Sequence, residues 1–198
     1  MLLLNLPNRI TIARIIFTIF IIFLCLFPFY TINVTLPQYN IKGVIIDLKY
    51  IIAGFLFIIA SISDFIDGKI ARKRGLVTDT GKMLDAIADK VLVNSVLVIF
   101  ASNGFIHPII AVIYIFRDEV VNALRMHAAK NGIVVPAGMT GKIKTFAMMT
   151  GLSLMFFYNL PFELFNIRVD EFLIYFATIL SVVSGFEYYR LIIKKKNV

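Results

Sequence analysis

The sequence predicts an all-α integral membrane protein: a bundle of six transmembrane helices, preceded by a short interfacial segment. Three observations predict it. Of 198 residues, 60% are hydrophobic and 16% charged, against about 45–50% and roughly 25% in a soluble domain. The apolar residues fall in runs close to the length of a bilayer span, about 20 residues. The runs are continuous rather than alternating, so they read as helices and not as barrel strands. The lipid medium overrides the strand propensity of so much Ile and Phe. This composition excludes a disordered chain and argues against a soluble enzyme with a polar shell. The formal net charge of +8 does not call for a nucleic-acid partner, because the basic residues are scattered between apolar runs as membrane flanks are.

Residues 1–198 read as one domain, without an internal repeat or low-complexity linker. Met1–Leu6 is apolar and stops at Pro7, a pattern suited to a short helix lying along the interface. The first span is Ile10–Phe29. It is flanked by Arg9, contains Arg14 and is followed by no small-residue cleavage site, so it is a retained helix rather than a signal peptide. Its Cys25, the single cysteine, is a small packing or lipid-facing residue. Val44–Ser63, Met83–Ala101, Pro108–Ala123, Ile143–Tyr158 and Phe172–Ile193 follow, the fourth and fifth spans being short. Six spans place both termini on one side, with the Asp64–Lys82 and Arg117–Lys142 connections. That side carries every one of the 20 Lys and Arg residues except Lys42, Lys49 and Arg168. The excess of Lys and Arg makes it cytoplasmic. Lys194, Lys195 and Lys196 suit anionic headgroups or form an ordinary flank.

Five of the 12 acidic residues fall between Asp64 and Asp89, and Asp64, Asp67, Asp85 and Asp89 lie at or beside span ends. Spacings of three and four put each pair on one helix face. The second and third spans are joined by a short connection, so the two pairs are expected to converge. Solvated helix ends with basic neighbours such as Lys69 and Lys90 are the bland alternative. Four converging carboxylates repel one another, however, and are costly in a membrane. Divalent metal supplies the missing counter-charge. An all-oxygen set without clustered His or Cys selects Mg²⁺ or Mn²⁺, and four carboxylates can hold two ions, an arrangement suited to in-line phosphoryl displacement. Gly68, Ala71 and Gly81 leave room for close helix approach or for a bulky ligand. Arg72 can grip a phosphate oxygen. These residues describe a diphosphate site in a membrane.

The pattern Asp64-Phe-Ile-Asp67-Gly68-Lys-Ile-Ala71-Arg72, then eight residues, then Gly81-Lys-Met-Leu-Asp85-Ala-Ile-Ala-Asp89 resembles the signature of the CDP-alcohol phosphotransferases. The resemblance implies six transmembrane helices with a cytoplasmic-side site, and attack of an alcohol on the β-phosphorus of a CDP-linked substrate with loss of CMP. It implies that Asp64, Asp67, Asp85 and Asp89 bind the metal pair and that Asp89 is also the base for the acceptor hydroxyl. Gly68 and Arg72 would contact the cytidine diphosphate, as would Thr78, whose ordinary alternative is a loop or capping residue. Pro7-Asn8-Arg9-Ile-Thr11-Ile-Ala-Arg14 resembles the family's first-helix motif and implies that Asn8 and Thr11 also reach the nucleotide. Without the resemblance, Asn8 reads as a helix N-cap and Arg14 as a side chain snorkelling to the interface. The family likeness also implies a homodimer.

The acceptor is read from Arg117 and Arg125, two turns apart on one helix, and from Lys142 and Lys144 at the next span. Singly each is an ordinary cytoplasmic flank. Together beside the metal site they suit an anionic acceptor. Arg117-Asp, then Leu124-Arg125, then Gly141-Lys142-Ile-Lys144-Thr145 resembles the phosphatidylglycerophosphate synthases. That implies CDP-diacylglycerol as donor and sn-glycerol 3-phosphate as acceptor. Phe146-Ala147-Met148 departs from the glutamine that the likeness would place nearby. Inositol phosphate would use the same cations, whereas serine has no phosphate for them. A cation transporter would place acids near the midplane in two matching halves, and a purely structural subunit would leave the carboxylates unexplained. His107 and His127 form no metal pattern.

Overall fold

The computed structural model describes residues 6–74, 79–130 and 138–196; within these, 6–7, 64–74, 79–80, 82 and 194–196 are described as backbone only. The described residues form six helices: α1 (Leu6–Leu26), α2 (Leu48–Arg74), α3 (Asp79–Ser102), α4 (Pro108–Lys130), α5 (Met139–Phe156) and α6 (Val169–Lys196). Between α1 and α2 a hairpin pairs β1 (Gln38–Ile41) with β2 (Val44–Asp47). Two short 3-10 turns, Phe29–Ile32 and Phe162–Phe165, complete the connections.

α1 packs against both α2 and α3, and α6 packs against both α5 and α4. These two halves meet where α2 touches α5 and α3 touches α4 and α5. Contact between α2 and α3 is slighter than the contact each makes with α1. The core between the halves is apolar, with Phe57, Leu97, Phe100, Met148, Leu152 and Phe156 fully buried. Gly151 permits the close approach of α5 and α6, since a Cβ there would lie 2.9 Å from Ile174 Cγ1.

The outer surface is apolar as well. Ile16, Ile19, Phe20 and Phe23 on α1, and Phe172, Ile179, Val183 and Phe186 on α6, are all exposed. A helix apolar on every side belongs in a core or in a membrane. Among the described residues two helical stretches, Asn8–Leu26 and Val169–Ile193, are long and apolar enough to cross a bilayer, and Leu48–Ser63 is a shorter apolar stretch.

The boundaries correct the sequence reading in three places. Val44–Asp47 is a strand rather than the start of the second span. Lys42 (φ 50°) and Gly43 (φ 93°) form a two-residue turn whose twist suits a hairpin, and Tyr158 Oη accepts the Asp47 N–H at 2.9 Å, tying the hairpin to the end of α5. An all-α description therefore omits one small sheet. Second, most of Asp64–Lys82 is helix rather than loop, because α2 continues to Arg74 and α3 starts at Asp79. With 27 residues, α2 spans about 40 Å and outruns a hydrocarbon layer of about 30 Å. Third, α1 begins at Leu6 with Pro7 in its first turn, the helical position proline tolerates best. The rest of the expected interfacial segment lies outside the described residues.

Candidate active site

Apart from the exposed Arg9, the polar residues of α1 form one buried stripe: Asn8, Thr11, Arg14 and Thr18 are each 8% exposed or less. Their spacings of three and four residues put them on one face. Asn8 sits inside the helix, so it is not an N-cap. Arg14 does not snorkel either. Its side chain is fully buried and its Nη1 donates to Asp85 Oδ1 on α3 at 3.1 Å, while Thr18 Oγ1 donates to the Arg14 carbonyl oxygen at 2.9 Å. The Arg14–Asp85 pair is a polar link between α1 and α3.

Asp89 lies one turn beyond Asp85 on the same face of α3. The Asp85 side chain is 44% exposed, so the carboxylate face stays open while its inner edge is held by Arg14. α3 also touches α4 and α5, the helices that carry Asp118 and Lys144. Asp64, Asp67, Gly68 and Arg72 follow one another along the last turns of α2. Their side chains, and the whole of Thr78, lie outside the described residues. Among the described residues no three His, Cys, Asp or Glu side chains stand together.

A second cluster forms where α4, α5 and α6 meet. Lys144 is 5% exposed. Its Nζ donates to Asp118 Oδ1 at 2.6 Å and lies 4.4 Å from the centre of the Tyr114 ring. Arg117 Nη1 donates to the same Asp118 oxygen at 2.8 Å, and its Nη2 donates to Ser184 Oγ on α6 at 2.6 Å. Arg117 Nε is buried without a hydrogen-bond partner among the described residues. Gly185 makes room for this guanidinium, as a Cβ there would stand 3.3 Å from Nε. One turn after Ser184, Tyr188 carries the Arg125 guanidinium 5.0 Å over its ring. Lys142, two residues before Lys144 on α5, is exposed. Lys90 donates to Glu119 Oε1 at 3.0 Å, which joins α3 to α4.

A sequence model described as CDP-alcohol phosphatidyltransferase matches residues 4–183. The chain belongs to the CDP-alcohol phosphatidyltransferase family. Proteins named CDP-diacylglycerol--glycerol-3-phosphate 3-phosphatidyltransferase are similar to it along nearly its whole length. The one from Bacillus subtilis is 38% identical over 189 residues, 93% of each chain. That from Rickettsia bellii is 35% identical over 187 residues, 94% of each, and that from Haemophilus influenzae 34% identical over 189 residues, 93% of this chain and 91% of its own.

For a chain of this transferase family, the sequence reading names Arg117 and Lys144 as acceptor ligands and does not name the groups that hold them. Asp118 was visible only as the acid in Arg117-Asp118-Glu119, an ordinary flanking pattern. Tyr114, one turn earlier, looked like any span residue. Arg14 gave a usable signal: its spacing from Thr11 continues the polar face of α1 into the apolar run. His107 and His127 are both exposed, and the His107 ring accepts the Ile109 N–H at 3.3 Å at the start of α4.

Proposed function

We propose that this protein transfers the phosphatidyl group of CDP-diacylglycerol to sn-glycerol 3-phosphate, giving phosphatidylglycerophosphate and CMP. The acceptor oxygen forms its bond to the β-phosphorus, the bond from that phosphorus to the CMP oxygen breaks, and the acceptor proton passes to Asp89. The observation that carries the reading is that α3, which bears Asp85 and Asp89, packs against α4 and α5, which bear Arg117 and Lys144. A carboxylate able to take a proton and cations able to hold a phosphate therefore serve one space. The family and the names of the similar proteins support the same donor and acceptor.

The donor set fits a hard divalent cation: Asp85 is half-open to solvent and Asp89 follows on its face, all-oxygen chemistry with no soft ligand. Asp64, Asp67, Asp85 and Asp89 would hold Mg²⁺ or Mn²⁺, in two positions. When bound, the metal would supply charge stabilisation at the phosphoryl oxygens and lower the pKa of the acceptor hydroxyl. Arg14 orients Asp85 for that role. Gly68 and Arg72, with Asn8, Thr11 and Thr78, would contact the cytidine diphosphate. Arg117, Arg125, Lys142 and Lys144 would bind the acceptor phosphate. We place six spans in the cell membrane, with both termini and the site on the cytoplasmic side and membrane lipids around a homodimer.

The test is CMP release by the purified protein in detergent with CDP-diacylglycerol and Mg²⁺, acceptor by acceptor. Glycerol 3-phosphate should support release, and inositol phosphate and serine should not. Release with another alcohol in its place would overturn the acceptor assignment.

A further inference from the structure

Lys144 occupies an unusual position for a cation that binds a soluble anion: it is buried, and two groups of one helix surround it. Tyr114 and Asp118 are four residues apart on α4, hence on one face. The Asp118 carboxylate takes the ammonium at 2.6 Å, and the Tyr114 ring lies 4.4 Å from it. Tyr114 is itself buried, at 3% exposed. The same carboxylate oxygen holds Arg117 at 2.8 Å, and Arg117 is fixed from its other side by Ser184.

We infer that Tyr114 and Asp118 form a clamp on α4 that positions Lys144, and with it Arg117, as the determinant of selectivity for a phosphorylated acceptor. The inference rests on the acceptor reading above and extends it to residues that contact no substrate. A lysine has a long flexible stem and three donors that point freely. Alone in an apolar bundle its ammonium would withdraw toward solvent or lose its proton. The carboxylate supplies a counter-charge at 2.6 Å, and the ring gives a face that attracts the cation without consuming a donor. Two cations sharing one carboxylate leave a net positive site. That site can receive a phosphate, whereas a neutral alcohol gains nothing from it.

The clamp separates acceptor from donor in kinetics. Asp118→Asn keeps the shape and removes the charge, and Tyr114→Leu removes the ring. Each should raise KM for glycerol 3-phosphate by about tenfold or more while leaving KM for CDP-diacylglycerol within about twofold, because the donor is bound on α1–α3. An unchanged donor KM also reports an intact fold. Tyr114→Phe, which retains the ring, should recover most of what Tyr114→Leu loses, and Asp118→Glu most of what Asp118→Asn loses. Parent enzyme that uses glycerol 3-phosphate, with both variants unchanged in acceptor KM or with both substrate constants raised together, overturns the clamp alone. Parent enzyme inactive with glycerol 3-phosphate but active with an unphosphorylated alcohol overturns the acceptor reading and the clamp with it.

Discussion

Asp89 and Arg14 are one helix apart and carry opposite burdens. Asp89 is proposed as the group that takes the acceptor proton, so Asp89→Asn should lower CMP release by about 10²-fold or more while the protein still binds CDP, measured by equilibrium binding in detergent. Normal turnover in that variant would remove it from the role of base. Arg14 is buried against Asp85 at 3.1 Å, and its expected effect is indirect. Arg14→Met keeps the length of the side chain and leaves Asp85 unoriented. Outer partners of metal ligands typically matter by about 10–100-fold, so the Mg²⁺ concentration for half-maximal activity should rise by that order. An unchanged Mg²⁺ response would make the pair a helix-packing contact only. At this scale the carboxylate motif was legible because four acids at helical spacing conflict with the lipid around them. Arg14, Asp118 and Tyr114 were not assigned their parts, because each depends on a neighbour from another helix and sequence spacing does not reveal such neighbours.

Helix meets helix at small residues here, and Gly185 shows the consequence. A Cβ at this position would approach Arg117 Nε to 3.3 Å and Cγ to 3.5 Å. Gly185→Val should therefore push α6 from α4, cost about 1–3 kcal/mol in stability and raise the acceptor KM more than the donor KM; thermal unfolding in detergent and steady-state kinetics read the two effects. Equal kinetic constants in a destabilised variant would detach the α4–α6 contact from the site. The elements themselves were read unevenly from sequence. The six apolar runs each correspond to a helix, since run length follows the hydrophobic requirement. Their ends did not follow it, because α2, α3 and α4 continue past the apolar residues on polar turns that helix propensity and packing sustain. The hairpin was missed because Val44–Ile46 is as apolar as a span, and only Lys42-Gly43 before it gives the turn signal.

For the whole molecule, the arrangement of two three-helix halves explains how an apolar protein can host charge. α1 lies against both α2 and α3 and lends its polar face to the carboxylate side, while α6 lies against α4 and α5 and fixes the basic side. Asp89 stands on α3 and Lys144 on α5, helices of opposite halves that touch at the seam, and it is at this seam that we propose the reaction takes place. The most direct test of this account follows glycerol 3-phosphate labelled in its carbon skeleton into lipid, in parallel with CMP release. One labelled lipid should form per CMP released, dependent on Mg²⁺ or Mn²⁺, abolished by chelation and restored when the cation is returned. CMP release without labelled lipid, or labelled lipid formed in the presence of chelator, would contradict it.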